Sequence, residues 1–206
     1  RRRALPRSVA EALERGDGPA APIAVHWMAA RENDRARSAF LRAAEESEAV
    51  HAFRDAAEAW RQALDLWPDG DGAPTEALER YATCSELAGD VSEAIRAWRE
   101  LSEIRGALGE QLPLASAQRR LAAAYDLKGE REAAFGARRI AAEAFSEAGQ
   151  PGEAAVDHLA MANHLRLSGR HNAAVHLAHT AVVEAEHGDR LDLRLRALGL
   201  EGMARA

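Results

Sequence analysis

One spacing constrains this chain more than any other feature. Small residues stand at Ala44, Ala82, Ala122, Ala162 and Gly202, separated by 38, 40, 40 and 40 positions. The intervals 38, 40 and 40 recur between His51, Gly89, Gly129 and Gly169, and again between Ala56, Ala94, Ala134 and Ala174; Trp60 and Trp98 keep the first of them. Sets of small residues held in one register mark a chain built from copies of a single unit, each burying its apolar face against the next. A closed bundle has no reason to keep such a period.

The unit is helical. Apolar residues recur at helical intervals almost without a break, Ala, Leu, Glu and Arg dominate, and aromatic residues make up only 5%. Unbranched side chains lose little freedom in a helix, whereas β-branched ones lose more. Helices are predicted over 5–15, 20–31, 35–50, from just after His51 to Trp67, and over 75–88, 91–105, 114–128, 131–148, 151–168, 171–187 and 191–206. Gly89, Gly129 and Gly169 end helices in the left-handed conformation. Asp90 reads as an N-cap with Glu93 completing a capping box, and Pro151 suits a first helical position. The prolines of 68–74 enforce the longest break. Short joints make neighbours antiparallel, and small residues let their backbones approach closely beside large fillers such as Trp60 and Trp98.

These registers resemble the tetratricopeptide repeat family, whose motif runs small residue, glycine turn, alanine, aromatic, alanine, proline. Ala44, His51, Ala56, Trp60, Ala63 and Pro68 follow it except at the glycine, and Ala82, Gly89, Ala94 and Trp98 follow it with Leu101 for the second alanine. Ala122, Gly129, Ala134 and Ala141 carry Arg138 at the aromatic place, and Ala162, Gly169, Ala174 and Ala181 carry Ala178 there. The resemblance covers residues 37–206 and implies an all-α fold, a right-handed α-solenoid of antiparallel helical hairpins with a concave groove lined by first helices. The chaperone-tail clamp known in that family needs lysine and asparagine where this chain has Leu41 and Glu45, or Glu79 and Thr83. At the front, Arg3-Ala4-Leu5, Val9 to Glu14 and Ala24-Val25-His26-Trp27 look like a junction in LuxR-type large ATP-binding regulators and STAND ATPases. There a repeat domain follows a P-loop ATPase and senses an inducer or partner.

Few catalytic or metal chemistries fit the residues. No Gly-x-x-x-x-Gly-Lys, His-Glu-x-x-His or Gly-x-Ser-x-Gly pattern occurs, so no enzyme activity and no cofactor are expected. His176 and His179 share a helix face, but the rise along a helix carries His187 too far from His176 to close a site. Asp69-Gly70-Asp71-Gly72 has the start of a calcium loop but Arg80 where the closing glutamate belongs, and reads as a linker. The net charge of −6 carries no footprint for nucleic acid, and Arg1 to Arg3 read as a solvated helix start. The single Cys84 excludes an internal disulfide and fits a cytoplasmic setting, and no apolar run reaches the ~18 residues of a membrane span.

One row of charge stands out. Arg42, Arg80 and Arg120 share a repeat position on first helices, with Glu48, Glu86 and Asp126 six residues later; Arg166 ends the acidic row. With Arg119, Asn163 and Arg166 they form the candidate groove site, since guanidinium forks match oxyanions in pairs. The other reading is intramolecular pairing, as in Arg42–Glu46 and Glu76–Arg80 at i,i+4. The chain is expected to comprise a hairpin over 1–34 that joins an upstream module, and a repeat domain over 35–206 that stops within its last repeat. The absence of an initial methionine suggests a piece of a longer chain. The expected function is a binding scaffold for a protein, peptide or small-molecule inducer, as the sensor of a bacterial multidomain regulator. A free-standing adaptor and the repeat tail of a cyclase or kinase are the alternatives.

Overall fold

The computed structural model describes residues 4–68 and 74–205; the linker reading of 69–72 and the charge of Arg1 to Arg3 lie outside them. Eleven helices and no strand occur among the described residues: α1 Ala4–Arg15, α2 Ala20–Ala30, α3 Asn33–Ala49, α4 Phe53–Asp65, α5 Thr75–Leu87, α6 Val91–Leu108, α7 Gln111–Lys128, α8 Arg131–Glu147, α9 Pro151–Leu167, α10 His171–His187 and α11 Leu191–Arg205. They fall into two compact units, Arg1–Ala97 and Trp98–Ala206.

Every joint from α2 onward that the structure describes is closed the same way. At Gly129, φ is +80°, its N–H donates to Asp126 O at 3.0 Å, and the N–H of Glu130 reaches back to Tyr125 O at 2.9 Å. Those two bonds satisfy carbonyls that a helix end leaves open, and the positive φ makes glycine the unstrained choice. Positive φ recurs at residues 89, 109, 129, 149, 169 and 189, so helix plus joint is a 20-residue module and the 40-residue period is a pair of them. Arg31, His51 and Asp189 adopt this conformation without being glycine.

Within the first unit α1 packs on α2, α2 on α3, α3 on α4 and α4 on α5; within the second, α7 to α11 pack in the same successive way, with α11 also touching α9. The core of the first unit gathers Ala10, Ile23, Ala24, Trp27, Ala36, Ala39, Phe40 and Ala63. In the second unit Ala155, Leu159, Ala162, Ala178, Ala181, Leu193, Ala197 and Leu200 form the largest cluster described. The register positions explain this packing. Ala44, Ala82, Ala122, Ala162, Ala56, Ala94 and Ala174 have no exposed surface and Ala134 has 1%. Gly202, on the last helix, departs from its register and is exposed. An alanine methyl contributes only about 0.8 kcal/mol by its own burial, so its larger effect is to let the helices and their bulky fillers close.

Candidate functional site

The arginines singled out in the sequence are mostly engaged across hairpins. Arg80 on α5 donates to Glu48 of α3 through Nε at 3.2 Å and Nη2 at 2.8 Å, lies 3.5 Å from Glu45, and stacks on Trp60 with its guanidinium carbon 4.9 Å from the ring centre. The expected Glu76–Arg80 pair is absent among the described residues, because Glu48 offers both oxygens in a fork-matching arrangement. Arg42 pairs loosely with Glu46 at 3.8 Å and is half exposed. Arg120 lies over Trp98 at 5.5 Å, and Arg166 donates to Asn163 at 3.0 Å. Arg119 is more enclosed than Arg80 or Arg42. It grips Asp157 at 2.8 and 3.0 Å and Glu153 at 2.6 Å, donates to the Glu153 carbonyl at 2.8 Å, and lies over Phe145 at 4.3 Å.

The acidic row serves the hairpins themselves. Glu48 accepts the indole N–H of Trp60, twelve residues on, and Asp126 accepts Arg138 at 2.5 Å over the same twelve. Arg138, which breaks the family's aromatic pattern, thus keeps the hydrogen-bonding half of the tryptophan's role. Burial pushes Glu48 upward, but hydrogen bonds from Arg80, Trp60 and Cys84 outweigh it and hold the carboxyl below the ordinary glutamate value. Burial, together with the charge of Glu48, drives the Cys84 thiol up to about 12, which disfavours the reactive thiolate. Asp157, 1% exposed, is raised above the ordinary aspartate value by burial in spite of Arg119. The capping box at α6 forms by half. Asp90 accepts the Glu93 N–H at 3.3 Å, while the Glu93 carboxylate turns to the Tyr81 hydroxyl at 2.6 Å and to Arg96.

Two hollows meet on the first-helix side of the first unit. One, of about 400 Å³, is walled by Leu41 and Glu45 of α3, Trp60, Trp67, Pro74, and Glu76 and Arg80 of α5. The other, of about 270 Å³, is walled by Glu48, Phe53, Glu76, Glu79, Arg80, Thr83, Cys84 and Leu87. Both contain Arg80 and Glu76, so Arg80 is a bar across one α3–α5 groove. A larger hollow of about 620 Å³ lies on the second-helix side, but its arginines 54, 61 and 96 face Glu58, Asp90 and Glu93, and two of the three are already ion-paired there. Sequence reasoning placed Arg80 on the groove side and Glu76 one turn before it on α5, but missed Trp67, which follows the end of α4. Among the described residues no three His, Cys, Asp or Glu side chains are grouped to hold a metal ion, and no helix is long and apolar enough to cross a membrane.

No family model matches the sequence, and no curated protein matches it. Solved structures do. A crystal structure of the MamA protein shares 15% identity over 82% of this chain and 89% of its own, with a TM-score of 0.54. The crystal structure of BtubC (BKLC) from P. vanneervenii shares 14% over 99% and 85%, with a TM-score of 0.55. At such identity the likeness concerns the fold alone. That fold is an all-α, tetratricopeptide-like solenoid of antiparallel helical hairpins.

Proposed function

We propose that this chain is a helical-repeat scaffold whose α3–α5 groove docks a segment of another protein. The observation that carries the reading is the groove itself: Leu41, Trp67, Pro74, Phe53 and the 56%-exposed Leu87 give it apolar walls, and charged groups stand among them. Concave sites with apolar walls and a few convergent polar groups are where ligands gain most from leaving water. The side chains around it are fixed in advance by the Glu48–Arg80–Trp60 bonds, which reduces the ordering cost of binding. The setting we propose is the sensor of a multidomain regulator with an ATPase module, supported by the resemblance of residues 3–27 to such junctions. Arg42 and Arg120 remain proposed contacts for oxyanions on first helices.

The test is a selection of random displayed peptides on the whole chain. Enriched binders should lose affinity for Thr83→Arg and Leu87→Glu, two groove changes on α5, and keep it for Arg54→Glu in the larger hollow. Binders indifferent to the groove changes contradict the reading.

A further inference from the structure

We infer that the α3–α5 groove selects a cationic partner segment, one in which lysine or arginine side chains alternate with apolar ones. This deepens the docking reading above and rests on it. The groove walls bring the carboxylates of Glu45, Glu48 and Glu76 together with the guanidinium of Arg80. Arg80 does not offer its charge to a partner: Glu48 binds it through two hydrogen bonds and Glu45 stands 3.5 Å away. Glu76, exposed at the first turn of α5 and common to both hollows, has no ion pair among the described residues. The surplus is therefore negative, and it sits between apolar walls, where a partial exclusion of water strengthens attraction to a cation.

The groove also displays the geometry it accepts. Arg80 places a guanidinium against the ring of Trp60 while two glutamates hold its donors. A partner arginine or lysine beside Glu45 and Glu76 repeats that arrangement one step along the same wall, with its stem against Leu41 and Pro74. The arginine row, read alone, pointed to an acidic or phosphorylated partner. In this groove the neutralisation of Arg80 reverses the sign.

Two fluorescein-labelled peptides decide it, one alternating lysine with leucine and one with glutamate in place of every lysine. At low salt the lysine peptide should bind the intact chain about tenfold more tightly or better, as charge complementarity at several sites allows. Glu45→Lys with Glu76→Lys should abolish or reverse that preference. Glu100→Lys with Glu103→Lys, the same charge change on exposed α6 positions outside the groove, should leave it in place. Circular dichroism confirms that each variant is folded. Equal binding, a preference for the glutamate peptide, or a preference that survives the groove reversal overturns the inference. A glutamate peptide that wins and is lost on Thr83→Arg and Leu87→Glu leaves the docking face standing with the opposite partner. Failure of both peptides overturns the cationic reading, and selected binders that also ignore Thr83→Arg and Leu87→Glu remove the face itself.

Discussion

At the scale of single residues, the ion pairs that organise this chain join successive repeats, and that is why the sequence hid them. Arg80–Glu48 spans 32 positions and Arg119–Asp157 spans 38, close to one repeat, whereas i,i+4 reasoning looks only along one helix. The repeat period itself held the missing signal, since a partner one repeat away lies beside the arginine in space. Arg119→Ala leaves Asp157 buried without its counter-charge and should cost about 3–5 kcal/mol in chemical denaturation, while Arg119→Met with Asp157→Leu should recover most of it. Loss of less than ~1 kcal/mol in the single variant contradicts the assignment. Glu48 gives a pH signature. Its carboxyl is held below its ordinary value of 4.5, so its contribution is complete above that value and disappears as pH falls through the lower, folded one. Glu48→Gln should lower the melting temperature at neutral pH and flatten its decline in acid; an unchanged acid limb contradicts the pairing. Asp157, raised by burial, has the opposite sign and loses stability as pH rises toward its folded value.

Elements were the most legible level, because helix periodicity and left-handed stops are local. The predicted stops at Gly89, Gly129 and Gly169 fall one or two residues after their helices. α7 starts at Gln111, three residues before the predicted 114; Pro113 is tolerated in its first turn, where the missing N–H has no intrahelical partner to lose. Gly109 and Gly149 close the joints that fall halfway through the 40-residue period, so the register of Gly89, Gly129 and Gly169 does not include them. Asp189 occupies the next such joint at φ +52°, so Asp189→Gly should stabilise the chain by about 0.5–1 kcal/mol by removing left-handed strain. A lower melting temperature sinks that account. Where α9 and α10 cross, a Cβ on Gly188 would stand 2.5 Å from the Gly152 Cα, a contact with backbone that cannot rotate away. Gly188→Ala should therefore cost about 1–3 kcal/mol through forced backbone shifts, and Ala122→Leu a similar amount.

The whole molecule is a chain of near-neighbour contacts within each of its two units. Damage should stay local in such an architecture. In hydrogen exchange, Ala122→Leu should speed α7 and α8 while α10 and α11 keep their rates; uniform acceleration across the second unit contradicts this. At this scale the sequence revealed the stacking but not the binding face. Which side chains enclose a groove depends on how Trp60, Trp67 and Pro74 come to lie beside Leu41 and Glu45 of α3, and no local pattern encodes that. The most direct test of the docking reading is a titration of the intact chain with a selected peptide, followed through the four tryptophan indole N–H signals. Trp60 and Trp67 line the groove, while Trp27 is wholly buried in the core and tied to Glu14 at 2.7 Å. The signals of Trp60 and Trp67 should move to saturation while those of Trp27 and Trp98 hold still. Movement of Trp27 or Trp98 with Trp60 and Trp67 unmoved would contradict it.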